Sequence, residues 1–124
     1  MQDGKYLVLA VDDDADVIET LKLILESNGY AFISASTAEE GVKVHKESNP
    51  DFVIVDLIME EVDAGKNLVK ELKLADNKAP IYMLSSVGDD LNKYVDYKEL
   101  GLDGVLQKPI NNDDLLNILK TKLG

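Results

Sequence analysis

The chain has 124 residues, with 24 acids against 13 bases, a formal net charge of −11, no Cys and a single His. That length suits one domain able to bury roughly two-thirds of its unfolded surface. The composition excludes disulfides, thiolate zinc sites, a Cys nucleophile and an imidazole metal cluster. The acidic excess argues against a broad face for nucleic acid or anionic membrane, and 45% hydrophobic residues argue against disorder.

The N-terminus, Met1-Gln2-Asp3-Gly4-Lys5, is polar and lacks the layout of a signal peptide. The apolar run after it, Tyr6-Leu7-Val8-Leu9-Ala10-Val11, is too short to cross a bilayer. A cytoplasmic location without membrane insertion is the expectation. A helical pattern follows, with Val17, Ile18, Leu21, Ile24 and Leu25 on one stripe and Asn28-Gly29 as its stop. Ala31-Phe32-Ile33-Ser34-Ala35 forms the second run, and Ser36-Thr37-Ala38-Glu39 predicts a capping box, Ser36 with Glu39, for a helix to about residue 47.

Asn49-Pro50 breaks the chain before the third run, Phe52-Val53-Ile54-Val55, which Asp56 closes. A helix over about residues 64–74 carries Leu68, Val69 and Leu72. Pro80-Ile81-Tyr82-Met83-Leu84 is the fourth run, and residues 89–100 carry a weaker helical pattern around Leu91, Tyr94 and Val95. Gly101 and Gly104 bracket a turn, Val105-Leu106-Gln107 is a short fifth strand, and Leu115, Leu116, Leu119 and Leu123 mark a last helix starting near Asn112 or Asp113.

Five strand–helix units with continuously apolar strands predict an α/β fold, in which a five-stranded parallel sheet is covered by helices on both faces. Right-handed crossovers make it a doubly wound open sheet. Ligands of such sheets sit at the carboxyl ends of the strands. There the sequence places Asp12, Asp13 and Asp14 after the first run, Asp56 after the third, Ser85 and Ser86 after the fourth, and Lys108-Pro109 after the fifth.

Each residue taken singly has an ordinary reading. Asp14 or Asp16 suits a helix N-cap, a Ser suits a turn, and a lone Lys suits solvent. Together they read differently, because carboxylates gathered at one rim repel and need a cation. Hard oxygen ligands without Cys or His select Mg²⁺, or Mn²⁺ in its place. A hydroxyl and an ammonium nearby suit phosphate oxygens, so the pattern points to metal-assisted phosphoryl chemistry with a carboxylate as nucleophile.

The combination of Val11-Asp12-Asp13-Asp14, Val55-Asp56-Leu57-Ile58-Met59, Met83-Leu84-Ser85-Ser86, and Gly101-Leu102-Asp103-Gly104 leading to Lys108-Pro109 resembles the response-regulator receiver domain over essentially the whole chain. The resemblance implies a flavodoxin-like sheet of strand order 2-1-3-4-5. It implies a phosphoacceptor in two-component or phosphorelay signalling rather than an enzyme, although the domain assists its own phosphorylation and dephosphorylation. It implies Asp56 as the acceptor and Asp13 as a direct Mg²⁺ ligand. It implies Asp12 as a ligand through water and the Ile58 carbonyl as a further ligand. Ser85 and Lys108 are then the phosphoryl-contacting groups, and the Lys108–Pro109 bond is cis. The implied donor is a sensor histidine kinase or phosphotransfer protein, and the implied target is a downstream protein or output domain. A switch surface over the fourth helix, fifth strand and fifth helix is implied as well. No output domain follows residue 124, so the expectation is a stand-alone regulator or a domain cut from a longer protein.

Four features depart from the family pattern. Val105 occupies the usual aromatic position before the Lys, with Tyr94 or Tyr97 as substitutes or plain packing residues. Glu60 stands where a Pro is usual, beside Glu61, and Asp63-Ala64-Gly65 replaces an Asp-Gly pair. The hydroxyl is Ser85 counted from Pro80 but Ser86 counted back from Lys108, and Ser85 is the choice. Ile58 and Val87 offer no polar side chain to position water, which predicts a long-lived phosphorylated state.

Two other functions stay open. One is a receiver-fold interaction module that is never phosphorylated. The other is a haloacid-dehalogenase-like phosphatase built on Asp12-x-Asp14, which leaves Asp56 unexplained. A calcium loop from Asp12 fails at Val17 and Leu23. A phosphate loop fails because Gly65-Lys66 is followed by Asn67. A flavin site fails on the acids that end the first run. His45, between Lys43 and Lys46, is expected on the surface, and no Ser/His/Asp triad is proposed.

Overall fold

The computed structural model describes residues 4–56, 70–72, 74, 79–86, 103–108 and 110–123. The elements in chain order are β1 (Leu7–Val11), α1 (Ala15–Ser27), β2 (Ala31–Ala35), α2 (Ala38–Ser48), β3 (Phe52–Asp56), β4 (Ile81–Ser86), β5 (Gly104–Lys108) and a last helix, α3 (Asn112–Leu123). Residues 70–72 and 74 are helical, as the predicted helix over 64–74 requires. The rest of that helix and the predicted helix over 89–100, with Tyr94 and Tyr97, lie outside the described residues.

All strand pairs are parallel and the sheet order is β2-β1-β3-β4-β5. The doubly wound α/β reading therefore holds. β1 and β3 are buried along their whole length because helices cover both faces, which is why their runs are continuously apolar. Alternate residues feed two cores. Val8, Ala10, Phe52, Ile54, Tyr82, Leu84 and Leu106 pack with Leu21 and Leu25 of α1 and with Leu115 and Leu119 of α3. Leu9, Val11, Val53, Val55, Ile81 and Met83 pack on the opposite face with Leu72 and with Val42 and Val44 of α2. β2, at one edge, is only half-buried up to Ala35.

Local chemistry fixes where the helices begin and end. Asp14 is the N-cap of α1 and its Oδ1 accepts the Asp16 N–H at 2.9 Å. At the other end the Tyr30 N–H donates to the Leu25 carbonyl and the Gly29 N–H to the Glu26 carbonyl. This is the Schellman closure, and it needs the positive φ of 88° that Gly29 supplies. The cap of α2 lies one residue beyond the predicted box. Thr37, not Ser36, is the N-cap, and its hydroxyl accepts the Glu40 N–H at 3.0 Å. Thr37-Ala38-Glu39-Glu40 satisfies the same spacing rule, so the sequence offered two frames. α3 opens at Asn112 as expected, and the Asn111 side chain accepts the Asp114 N–H at 3.1 Å.

Two further expectations change. β3, β4 and β5 extend to include Asp56, Ser86 and Lys108, so these residues end their strands rather than follow them. His45 is buried, at 7% exposure, not on the surface. It continues the Ala38, Gly41, Val42 stripe at helical spacing, while its neighbours Lys43 and Lys46 are exposed.

The amino ends of the strands are tied by a device that occurs twice. The Asp51 N–H donates to the Leu7 carbonyl and the Leu7 N–H donates to Asp51 Oδ2, both at 2.8 Å. Asp103 repeats this pair of bonds with Ile81, again both at 2.8 Å.

Candidate functional site

Sheet register brings the acids together. Val11 of β1 stands opposite Val55 of β3, so one further step brings Asp12 level with Asp56. The chain leaves β1 towards β2 and returns to β3 on the other side, which opens a crevice between these two carboxyl ends. The Asp12 N–H still pairs with the Ala35 carbonyl of β2 at 3.1 Å, which holds Asp12 in line with its strand. The Asp14 N–H donates to Asp12 Oδ1 at 2.9 Å, so the turn into α1 orients that carboxylate. Asp14 itself serves as the cap.

One carboxylate oxygen from each of Asp12, Asp13 and Asp56 lies within 4.8 Å of the other two. Asp12 is 1% exposed and Asp56 7%, whereas Asp13 is exposed to solvent. Like charges at this spacing repel by ~1 kcal/mol per pair even in water, and by more where burial lowers the effective dielectric constant. The donor set is all hard oxygen, which fits Mg²⁺ or Mn²⁺ and not a soft metal. Oxygens directly bound to one Mg²⁺ stand at most ~4.2 Å apart. The bound on the three acids is close to that span, which suits direct ligation by some of them and a bridging water for another.

The remaining predicted residues stand on neighbouring strands. Asp56 pairs in register with Leu84, Ser85 with Gln107, and Ser86 with Lys108. Both serines and Lys108 thus close β4 and β5 at the same end of the sheet as the acids. The register sets Ser86, not Ser85, directly opposite Lys108. Ile58, Glu60, Glu61, the 63–65 segment, Val87 and Pro109 lie outside the described residues. Sequence reasoning did not single out Asp51, and it quoted Asp103 only as part of the Gly101-Leu102-Asp103-Gly104 match, without a role of its own. Their signal was an Asp immediately before a strand, which reads locally as a turn residue.

The fold and the acid cluster define an open parallel α/β domain with three carboxylates gathered at its topological switch point. The chain belongs to the response-regulator receiver family: the model described as "Response regulator receiver domain" matches residues 8–120. It is a receiver domain of the two-component response regulators. The chain is 32% identical over 104 residues to the alkaline phosphatase synthesis transcriptional regulatory protein PhoP of Bacillus subtilis (strain 168), covering 84% of this chain and 42% of that protein. It is 32% identical over 116 residues to the transcriptional regulatory protein GlrR of Escherichia coli (strain K12), covering 94% of this chain and 26% of that protein. The chain therefore spans less than half the length of these curated relatives. The structure of the Vibrio cholerae chemotaxis protein CheY4 superposes with a TM-score of 0.86 at 29% identity, covering 97% of this chain and 100% of that one.

Proposed function

We propose that residues 1–124 form one receiver domain that accepts a phosphoryl group on Asp56 from a phosphohistidine of a sensor histidine kinase or phosphotransfer protein. A carboxylate oxygen of Asp56 attacks phosphorus, the P–O bond forms as the P–N bond breaks, and the leaving imidazole takes up a proton. Asp12, Asp13, Asp56 and the Ile58 carbonyl hold Mg²⁺, which when bound offsets the negative charge gathered at the transferring group. Lys108 pairs with the phosphoryl oxygens and Ser85 donates a hydrogen bond to one of them. The added charge, about −1.5 to −2, biases a surface that includes β5 and α3 towards a state that binds a downstream protein or an output domain. The role is signalling, not turnover of a substrate. Cytoplasmic placement is part of this reading, and among the described residues no helix is long and apolar enough to cross a membrane.

The observation that carries the reading is the convergence of three carboxylates, two of them buried, at the carboxyl ends of β1 and β3. Such a cluster is unfavourable for stability alone and suits a cation followed by a phosphoryl group. The test is incubation of the chain with acetyl phosphate and Mg²⁺, read by intact mass. The wild type gains one phosphoryl group and Asp56→Asn gains none. Absence of both the mass gain and Mg²⁺ binding in the wild type overturns the proposal in favour of a phosphorylation-independent interaction module.

A further inference from the structure

β5 is an edge strand whose hydrogen-bonded neighbour is β4, and its register decides where Lys108 stands. Tyr82 faces Gly104, Leu84 faces Leu106, and Ser86 faces Lys108. A slip of one residue shifts the strand by about 3.3 Å and exchanges its two faces. Apolar patterning opposes that slip only weakly here. β5 reads Gly-Val-Leu-Gln-Lys, and of its apolar side chains Leu106 is buried while Val105 is only half-buried.

Two independent contacts hold the register instead. Asp103, just before the strand, exchanges two hydrogen bonds of 2.8 Å with the backbone of Ile81, using its own N–H and its carboxylate. Beside it, the Tyr82 ring lies so close to Gly104 that a Cβ there would stand 2.5 Å from Tyr82 Cε2. A slip that set Val105 opposite Tyr82 would place a branched side chain where even a methyl group does not fit. The ring has little room to yield, because it is 8% exposed and stacks on Phe52 with centroids 5.2 Å apart.

We propose that Asp103 is a positioning residue for phosphoryl transfer. Its carboxylate fixes the β4–β5 register, and through it the place of Lys108 at the opposite end of the strand. The inference rests on the reading of Lys108 as the phosphoryl-contacting ammonium.

The test uses the full chain as wild type, Asp103→Ala, Asp103→Asn, Lys108→Ala and the Asp103→Ala/Lys108→Ala pair. Phosphorylation by acetyl phosphate is followed by intact mass, Mg²⁺ affinity by calorimetry, and β5 amide exchange by mass spectrometry. Asp103→Ala slows phosphorylation by between ~10- and ~100-fold, the size expected when a reacting group is misplaced by about an ångström. Its Mg²⁺ affinity is unchanged. Asp103→Asn keeps an acceptor oxygen and retains most of the rate. The double variant is no slower than Lys108→Ala alone, because one effect acts through the other. A further slowing in the Lys108→Ala background, or an equal loss of Mg²⁺ affinity, overturns the proposal in favour of general destabilisation. A wild type that takes no phosphoryl group sinks the phosphoacceptor reading instead. Amide exchange then decides the register claim by itself: it stands if Asp103→Ala accelerates exchange in β5 over β1 and β3, and falls if β5 protection is unchanged.

Discussion

The Tyr82 ring lies across the Cα of Gly104, and it leaves no room for a side chain there. The two residues are register partners on β4 and β5, and the ring stacks on Phe52 of β3 with planes 25° apart. This lane of two rings and a bare backbone joins three strands on the face covered by α1 and α3. Gly104→Ala is therefore expected to destabilise the fold by about 1–3 kcal/mol, the usual cost of overpacking, read from urea unfolding. Combining it with Tyr82→Leu, which removes the crowding ring, should cost less than the two single changes added together.

The acid cluster makes a prediction of opposite sign. In chelator, Asp13→Asn removes one of three mutually repelling carboxylates and should raise unfolding free energy by ~1 kcal/mol. The wild type should gain stability as Mg²⁺ is added, since a ligand that binds only the folded state stabilises it by mass action. The variant should lose most of that gain. Urea titrations with and without Mg²⁺ check both halves, and a variant less stable than wild type in chelator contradicts the repulsion argument.

The cap of α2 separates two frames one residue apart. Thr37→Ala removes the hydroxyl that accepts the Glu40 N–H and should destabilise by about 1 kcal/mol. Ser36→Ala should change little. The reverse order in thermal unfolding would restore the Ser36 box.

The neighbouring serines are distinguished by phosphorylation kinetics. With Ser85 as the hydrogen-bond donor, Ser85→Ala slows transfer to Asp56 by roughly 10-fold or more, as when one donor to a developing charge is lost. Ser86→Ala then has the smaller effect. A larger effect at Ser86 would follow the observed register, which sets Ser86 against Lys108, and would move the assignment by one residue.

Much of this protein was legible in one dimension. The five runs, the Asn28-Gly29 stop and the Asp14 cap follow from nearest-neighbour rules: apolar period, left-handed glycine and a carboxylate before a helix. The misses have specific causes. Ser36 and Thr37 both satisfy the box spacing, so the local pattern does not choose between the two frames, and the structure caps the helix with Thr37. His45 looked solvated because its sequence neighbours are lysines. Helical geometry sets neighbours at i±3 and i±4 instead, and there Gly41 and Val42 belong to the packed stripe.

By itself the sequence determined the parallel α/β class and the acids to examine, because these depend on hydrophobic period and on chain order; the strand order came with the family resemblance. It also supplied the donor set of the proposed metal site, whose oxygen ligands suit a hard cation. Only the tertiary structure decided that Asp12, Asp13 and Asp56 stand within one ion's reach, and that Ser86 faces Lys108. Only it revealed that two aspartates at the far end of the sheet, Asp51 and Asp103, each exchange two hydrogen bonds with the first residue of a neighbouring strand. Register is a relation between strands distant in the chain, and it depends on hydrogen bonds and ring contacts that no local pattern encodes.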